Sequence, residues 1–527
     1  MFFYLRRNLK LIFLLSIINL NFLLIKNSFC ADITNLGTIS TSASYANVIS
    51  NIGTITNLTN SNSGRISAGG DYGNGIYNEG TITTLTNSGT ISTLRDYGIG
   101  IRNRSTITTL TNSGTISTLR DYGDGIYNEG TITNLTNSNS GTISTQGPYA
   151  NGIYNYINAS IETLTNSGTI STSTDSGHGI RNRSTITTLT NSGTISTLRD
   201  YGNGIYNEGT ITTLTNSGTI SILSYNGIGI YNNGNARITT LTNSGTISTS
   251  RDYGDGIYNY MNASIETLTN SGTISSSRGK GISNRGTITN LNNQQGSGNN
   301  AGALTYTGSL PTNYNIIINS TSVYGRLSAT SVTGTMTFGI YSGSTVSAGA
   351  TYDNVLAGVS SLNLSSLLGT SQNCNWSLQM DAQSNYDLVI STCSTPPSST
   401  PPSSRQTYNQ TVTNSKLTTT ASIFENMRTA GKNSVLTTKL DTLSSTQLES
   451  ALKKIQGTTT IKAAAQSVQA QSSFKTALST VTSPGSSSSM TNVTKTNQGN
   501  LTFADLQTNN LYAKIQPASY SDDRAFF

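Results

Sequence analysis

Few residues in this 527-residue chain have the type and spacing to do covalent chemistry. Asp121 and Asp124 recur as Asp252 and Asp255, beside Arg120 and Arg251. Glycoside cleavage needs two carboxylates, one acid and one base or nucleophile. Here an arginine heads each acidic pair in a turn, which reads as a solvated, ion-paired face. His178 is the single histidine and stands where equivalent segments carry Asn or Asp, so it reads as a surface turn residue. One histidine excludes a multi-histidine metal site and weakens any Ser-His-Asp scheme. The Gly-Gly-x-Gly-x-Asp calcium pattern is absent, and the Gly-rich turns lack the helix and Lys-Ser/Thr of a phosphate loop. The expectation is a protein without catalysis, cofactor or metal, with a polysaccharide-processing enzyme as the alternative.

Two other residue sets could bind rather than react. Arg95, Arg120, Arg199 and Arg251 recur with Tyr97, Tyr122, Tyr201 and Tyr253, and stacking would make them one adhesive face for a glycan or cell-surface ligand. Thr81 and Thr83, Thr106 and Thr108, Thr131 and Thr133 form a hydroxyl array that resembles an ice-binding face, although threonine is also an ordinary strand residue. Cys374 and Cys393 lie on what read as neighbouring strands, and an exported chain would oxidise them to a disulfide.

These residues are positioned by a repeat. A Gly-Ile pair recurs at Ile76, Ile101, Ile126, Ile153, Ile180, Ile205, Ile230, Ile257 and Ile282, in steps of 25 or 27. A fixed period of this size marks a solenoid. Within one unit the apolar anchors read as Ile76, Ile82, Leu85, Ile91 and Leu94. No helical stripe has those intervals, whereas Thr-Ile-Thr alternation is the strand pattern. Three short strands and three turns per unit make one rung of an all-β, single-stranded parallel β-helix of about 25 residues per rung. Asn78 and its equivalents to Asn284, and Asn60 and its equivalents to Asn270, then point inward and hydrogen-bond from rung to rung. Outward, Glu79, Arg104 and Glu129 share one column, and Tyr77, Arg102 and Tyr127 another.

Flanking segments complete the layout. Arg6, Arg7 and Lys10 precede an apolar Leu11 to Ile25 stretch, and Ser28-Phe29-Cys30 offers a cleavage site, so residues 1–30 read as a signal peptide. Residues 31–300 are the repeat and 301–394 a β-rich cap on its open end. Residues 395–406 are a Pro/Ser linker, 407–482 a helical segment with a Ser444/Gln447 capping box, and 483–527 a low-complexity tail. The net charge of +7 sits at the ends: residues 31–300 hold 13 bases against 14 acids. A nucleic-acid groove is excluded there, because phosphate binding needs a concentrated basic surface.

The order of segments resembles a bacterial autotransporter passenger. The resemblance is carried by Tyr324-Gly325-Arg326-Leu327 through Thr337-Phe338-Gly339-Ile340-Tyr341-Ser342-Gly343-Ser344, with Asn375-Trp376-Ser377-Leu378 and Tyr386-Asp387-Leu388-Val389. Leu443-Ser444-Ser445-Thr446-Gln447-Leu448-Glu449-Ser450-Ala451-Leu452 resembles the segment before the translocator barrel. The resemblance implies a right-handed coil, export, and a scaffold or adhesin at the cell surface, outer membrane or outside the cell. Residues 483–527 are too few for a 12-stranded barrel, so the expectation is a separate barrel, or a periplasmic location without one.

Overall fold

The computed structural model describes the strand Leu23–Ile25, residues 31–393 apart from 252 and 299–301, and parts of 407–452. The rest of the leader, the linker, residue 444 of the capping box and everything after 452 lie outside the described residues.

Each repeat forms three strands, as in Ile76–Asn78, Thr81–Asn87 and Thr90–Thr93. Equivalent strands stack parallel and in register: Ile76 on Ile101 on Ile126, Leu85 on Leu110 on Leu135, and Ile91 on Ile116 on Ile143. The long middle strands, with shorter ones at the ends, build a 13-stranded sheet that runs from Ala31–Asn35 to Thr337–Ile340. At about 4.8 Å per rung that column is roughly 58 Å long. Ile82 and Leu85 both face inward three residues apart because the strand is irregular at Thr83, which has no partner in the register.

Leu94 is not an anchor. The third strand ends at Thr93, whose side chain is the inward one and donates from Oγ1 to Gly98 O at 2.8 Å. Leu94 falls beyond the strand and is 38% exposed. The Gly-Ile glycine has a steric cause. A Cβ on Gly204 would lie 2.6 Å from Gly229 O and 2.5 Å from the Ile220 methyl. The backbones of successive rungs approach too closely there for any side chain.

The aliphatic interior is lined by two amide ladders. Asn51 to Asn284 form one, with Nδ2 donating to the next Oδ1 at 2.8 Å between Asn78 and Asn103 and 2.8 Å between Asn182 and Asn207. Asn35 to Asn293 form the other, at 2.7 Å between Asn166 and Asn191. Both ladders start one rung earlier than the sequence reading placed them.

The coil does not stop at residue 300. Leu304–Ser309 stacks parallel on Ile282–Asn284, and Thr337–Ile340 stacks on Asn313–Ile316. The period disappears because the interior changes. Buried Tyr306, Tyr314, Phe338 and Trp376 take over from isoleucine and asparagine, with Phe338 edge-on to Trp376 at 5.3 Å. Closure comes later, from the antiparallel Leu368–Ser371, Cys374–Met380 and Tyr386–Cys393, the last of which also pairs with Thr351–Ala357. Cys374 and Cys393 lie opposite each other in this hairpin and are disulfide-bonded.

The second unit begins at Pro397. Its helices Tyr408–Thr411 and Thr418–Thr429, with helical residues 447–452, enclose a small core that includes Tyr408, Ala421, Phe424, Leu448 and Leu452.

Candidate functional site

The turn after the third strand carries the most regular exposed feature. In Leu94-Arg95-Asp96-Tyr97-Gly98 the chain reverses with Tyr97 at φ 59°. The same left-handed backbone recurs at Tyr45, Tyr72, Tyr122, Tyr149, Tyr201 and Tyr253. A bulky residue there costs roughly 1–3 kcal/mol, so a tyrosine at one turn after another calls for an explanation beyond folding. Their rings supply one. Tyr45, Tyr72, Tyr97, Tyr122 and Tyr149 stack face to face, with centroids 4.7, 4.5, 4.9 and 5.0 Å apart and planes within 9°. The ladder spans about 19 Å. Each ring is 40–72% exposed. Its interior faces are covered by neighbours, and its edges meet solvent.

This ladder overlaps only in part with the face expected from sequence. Tyr97 and Tyr122 belong to it, with exposed Arg95 and Arg120 two residues before each. Tyr45, Tyr72 and Tyr149 complete it, and the signal for them was the same turn position in rungs without an arginine. Tyr201 and Tyr253 stand outside the stack, because Ser176 and Asn226 occupy the ladder position in the intervening rungs. Arg199 and Arg251 line a depression of about 530 Å³ with Ser173, Asp175, Leu198 and Asp200.

A second outward column alternates charge and ring. The Arg102 guanidinium sits 5.9 Å from the Tyr77 ring and 5.3 Å from Tyr127, and it bonds Glu129 at 2.8 Å. Arg181 repeats this between Tyr154 and Tyr206, at 5.0 and 5.4 Å, with Glu208 at 2.8 Å. Arg104 bonds Glu79 at 2.8 Å and lies 3.5 Å from Glu129. Reversing Arg104 to Glu places three carboxylates in one column. We expect about 1 kcal/mol of destabilisation in urea unfolding at low salt, shrinking at 0.5 M NaCl as screening takes hold. Equal stability at low salt would contradict this register.

The third column overturns two expectations. His178 is buried, and Asp124 does not join Arg120 on a solvated face but turns inward. The position runs Asn74, Ile99, Asp124, Asn151, His178, Asn203, Ile228, Asp255 up the coil. At most rungs a side-chain acceptor meets the next rung's backbone N–H. Asn151 N donates to Asp124 Oδ1 at 2.7 Å, His178 N to Asn151 Oδ1 at 3.2 Å, Asn203 N to His178 Nδ1 at 3.2 Å, and Ile228 N to Asn203 Oδ1 at 2.9 Å. The acceptor role fixes His178 as the neutral Nε2–H tautomer. Burial, with Arg181 nearby, lowers its pKa to about 3. Burial raises Asp124 to about 7 against the opposing Asn151 hydrogen bonds. Asp255, partly buried, accepts from Lys280 N at 2.7 Å and is also raised by burial.

The threonine array lies in register on the long-strand sheet, as in Thr81, Thr106 and Thr131. Arg237 interrupts it and pairs with Glu266 at 2.7 Å. Among the described residues no three His, Cys, Asp or Glu side chains gather as a metal site would need. Set against protein-family models, curated proteins and solved structures, the chain matches none of them.

Proposed function

We propose that this chain is an exported, non-catalytic passenger of the autotransporter type, a surface scaffold or adhesin whose binding face is the tyrosine edge. The observation that carries the reading is the five-ring stack, held exposed in a strained backbone conformation on a column of rigid rungs. Aromatic side chains offer large contact area at low conformational cost, which suits them to recognition surfaces. The signal-like leader and the resemblance at residues 324–344 support export to the surface.

The test uses the residue that already occupies the ladder position at Asn226, at φ 55°. Replacing Tyr72, Tyr97 and Tyr122 with Asn should keep the melting profile and lower adhesion of the purified chain to cultured cells or arrayed glycans at least fivefold. Unchanged adhesion would remove the ladder from the reading, and release of oligosaccharides from polysaccharide by the purified chain would favour the enzyme alternative.

A further inference from the structure

We propose that the cleft where the repeating coil meets its aromatic end binds one ring of a neutral saccharide. The outward ring column explains why a cleft lies there. Tyr206, Tyr231 and Tyr258 follow one another up the coil, with Tyr231 and Tyr258 stacked at 5.2 Å. The next rung places Ser283 on Tyr258, and the one after it places Thr307 on Ser283. Two small side chains after a run of large ones leave a step, and at this step lies a cavity of about 410 Å³. Small-molecule sites typically measure about 300–1,000 Å³. The far wall is not regular strand. Leu304–Ser309 and Leu327–Thr333 change register between Thr307 and Gly308, so Ser331 has no partner in the register and lines the cleft at φ 52°. A bulge with a non-glycine residue in the left-handed region is costly, and such features gather where a chain must aim a group at a ligand.

The groups around the cavity select the ligand by elimination. Asp255 lines it, with Oδ1 anchored on Lys280 N at 2.7 Å. Arg285 lines it too, its guanidinium 5.8 Å from the centre of the Tyr258 ring. Arg104 and Arg183, the equivalents of Arg285 in lower rungs, each reach a glutamate, whereas among the described residues no carboxylate pairs with Arg285. Its N–H groups are therefore left to a ligand. An anionic ligand would meet the Asp255 carboxylate and a cationic one the Arg285 guanidinium, and like charges brought together oppose binding. An aliphatic ligand would strip water from both groups without replacing their hydrogen bonds. A neutral pyranose meets all these demands. Carbon-bound hydrogens on its face rest against the Tyr258 ring, and hydroxyls at its edge donate to Asp255 and accept from Arg285.

The cleft lies on a different column from the tyrosine edge, so it stands or falls apart from the adhesive reading. The purified chain is titrated by saturation-transfer NMR at pH 6 with three neutral trisaccharides (cellotriose, maltotriose and tri-N-acetylchitotriose), with anionic trigalacturonic acid and with the cationic amine chitotriose. We expect millimolar binding of at least one neutral trisaccharide, at least fivefold tighter than either charged one. Ser283→Tyr, which carries the ring column into the cleft, and Arg285→Ala should each weaken that binding at least fivefold, with melting profiles unchanged. The Tyr72, Tyr97 and Tyr122 replacements leave the cleft intact and should not alter it. Failure of all three neutral trisaccharides, tighter binding of a charged one, or undiminished binding to Ser283→Tyr would each overturn the proposal. Loss of saccharide binding on replacing Tyr72, Tyr97 and Tyr122 would overturn it as well, by moving the saccharide to the tyrosine edge.

Discussion

Asn191→Leu should destabilise the solenoid by on the order of 3–6 kcal/mol, although leucine matches asparagine in branching and heavy-atom count and the site is fully buried. The cost lies in what is left behind. Asn191 Nδ2 donates to Asn216 Oδ1 at 2.7 Å and to Thr219 O at 3.3 Å, and Asn191 Oδ1 accepts from Asn166 Nδ2 at 2.7 Å. Leucine strands Asn216 Oδ1 without its ladder donor and removes one acceptor from Asn166, in an interior that holds aliphatic side chains and no space for repair. A buried polar atom without a partner costs about 1–3 kcal/mol. Position should matter as much as chemistry. Asn35 has a ladder neighbour on one side only, so Asn35→Leu should cost about half as much. Because each rung contacts only its neighbours, the loss should be local. Hydrogen exchange should accelerate across residues 166–219 and leave residues 54–112 protected. A variant within 1 kcal/mol of the parent in urea unfolding would mean that the ladder bonds merely replace hydration and do not hold rungs together.

The reason these columns could be read from sequence is also the reason others could not. Stacking in register demands that a rung offer its neighbour the same shape and the same donors. Isoleucine and asparagine columns therefore repeat in identity, and identity at a fixed period is visible without coordinates. The alternation of Glu79, Arg104 and Glu129 was legible for the same reason, as complementarity in place of identity. Leu94 was misread because its spacing from Ile91 copies that of Leu85 from Ile82, while the strand in fact ends at Thr93. The third column hid itself. Where it carries a side-chain acceptor, Asn, Asp and His substitute for one another, Ile99 and Ile228 carry none, and no one residue type holds the column. Past residue 300 the interior fills with aromatics of unequal size, and the coil continues after the period has gone. The tyrosine ladder was half visible. The turn position was plain, but which tyrosines stack depends on unbroken occupancy, and Ser176 and Asn226 break it.

The hidden column makes stability depend on pH in two opposing ways. Asp124 titrates at about 7 in the folded chain and near 4 when unfolded. Its folded pKa is raised, so its contribution is fully present below pH 4 and is lost as pH rises through 7. His178 titrates at about 3 when folded and near 6.5 when unfolded. Its folded pKa is depressed, so its contribution is present above 6.5 and is lost as pH falls towards 3. Asparagine already serves this column at Asn151 and Asn203, so it can replace either residue as a neutral acceptor. Asp124→Asn should be more stable than the parent at pH 8 by on the order of 3 kcal/mol, and the gap should nearly close at pH 4. His178→Asn should behave in mirror image, with little effect at pH 8 and a gain of similar size at pH 4. Between pH 4 and 6.5 the two residues offset each other in the parent, because Asp124 gains what His178 loses. The double variant should therefore share the parent's flat response in that range and exceed it by roughly 3 kcal/mol throughout. Urea unfolding of the parent and the three variants at pH 4, 6 and 8 is the measurement. Parallel curves for Asp124→Asn and the parent would show that the carboxylate is solvated after all, as a turn residue beside Arg120 would be.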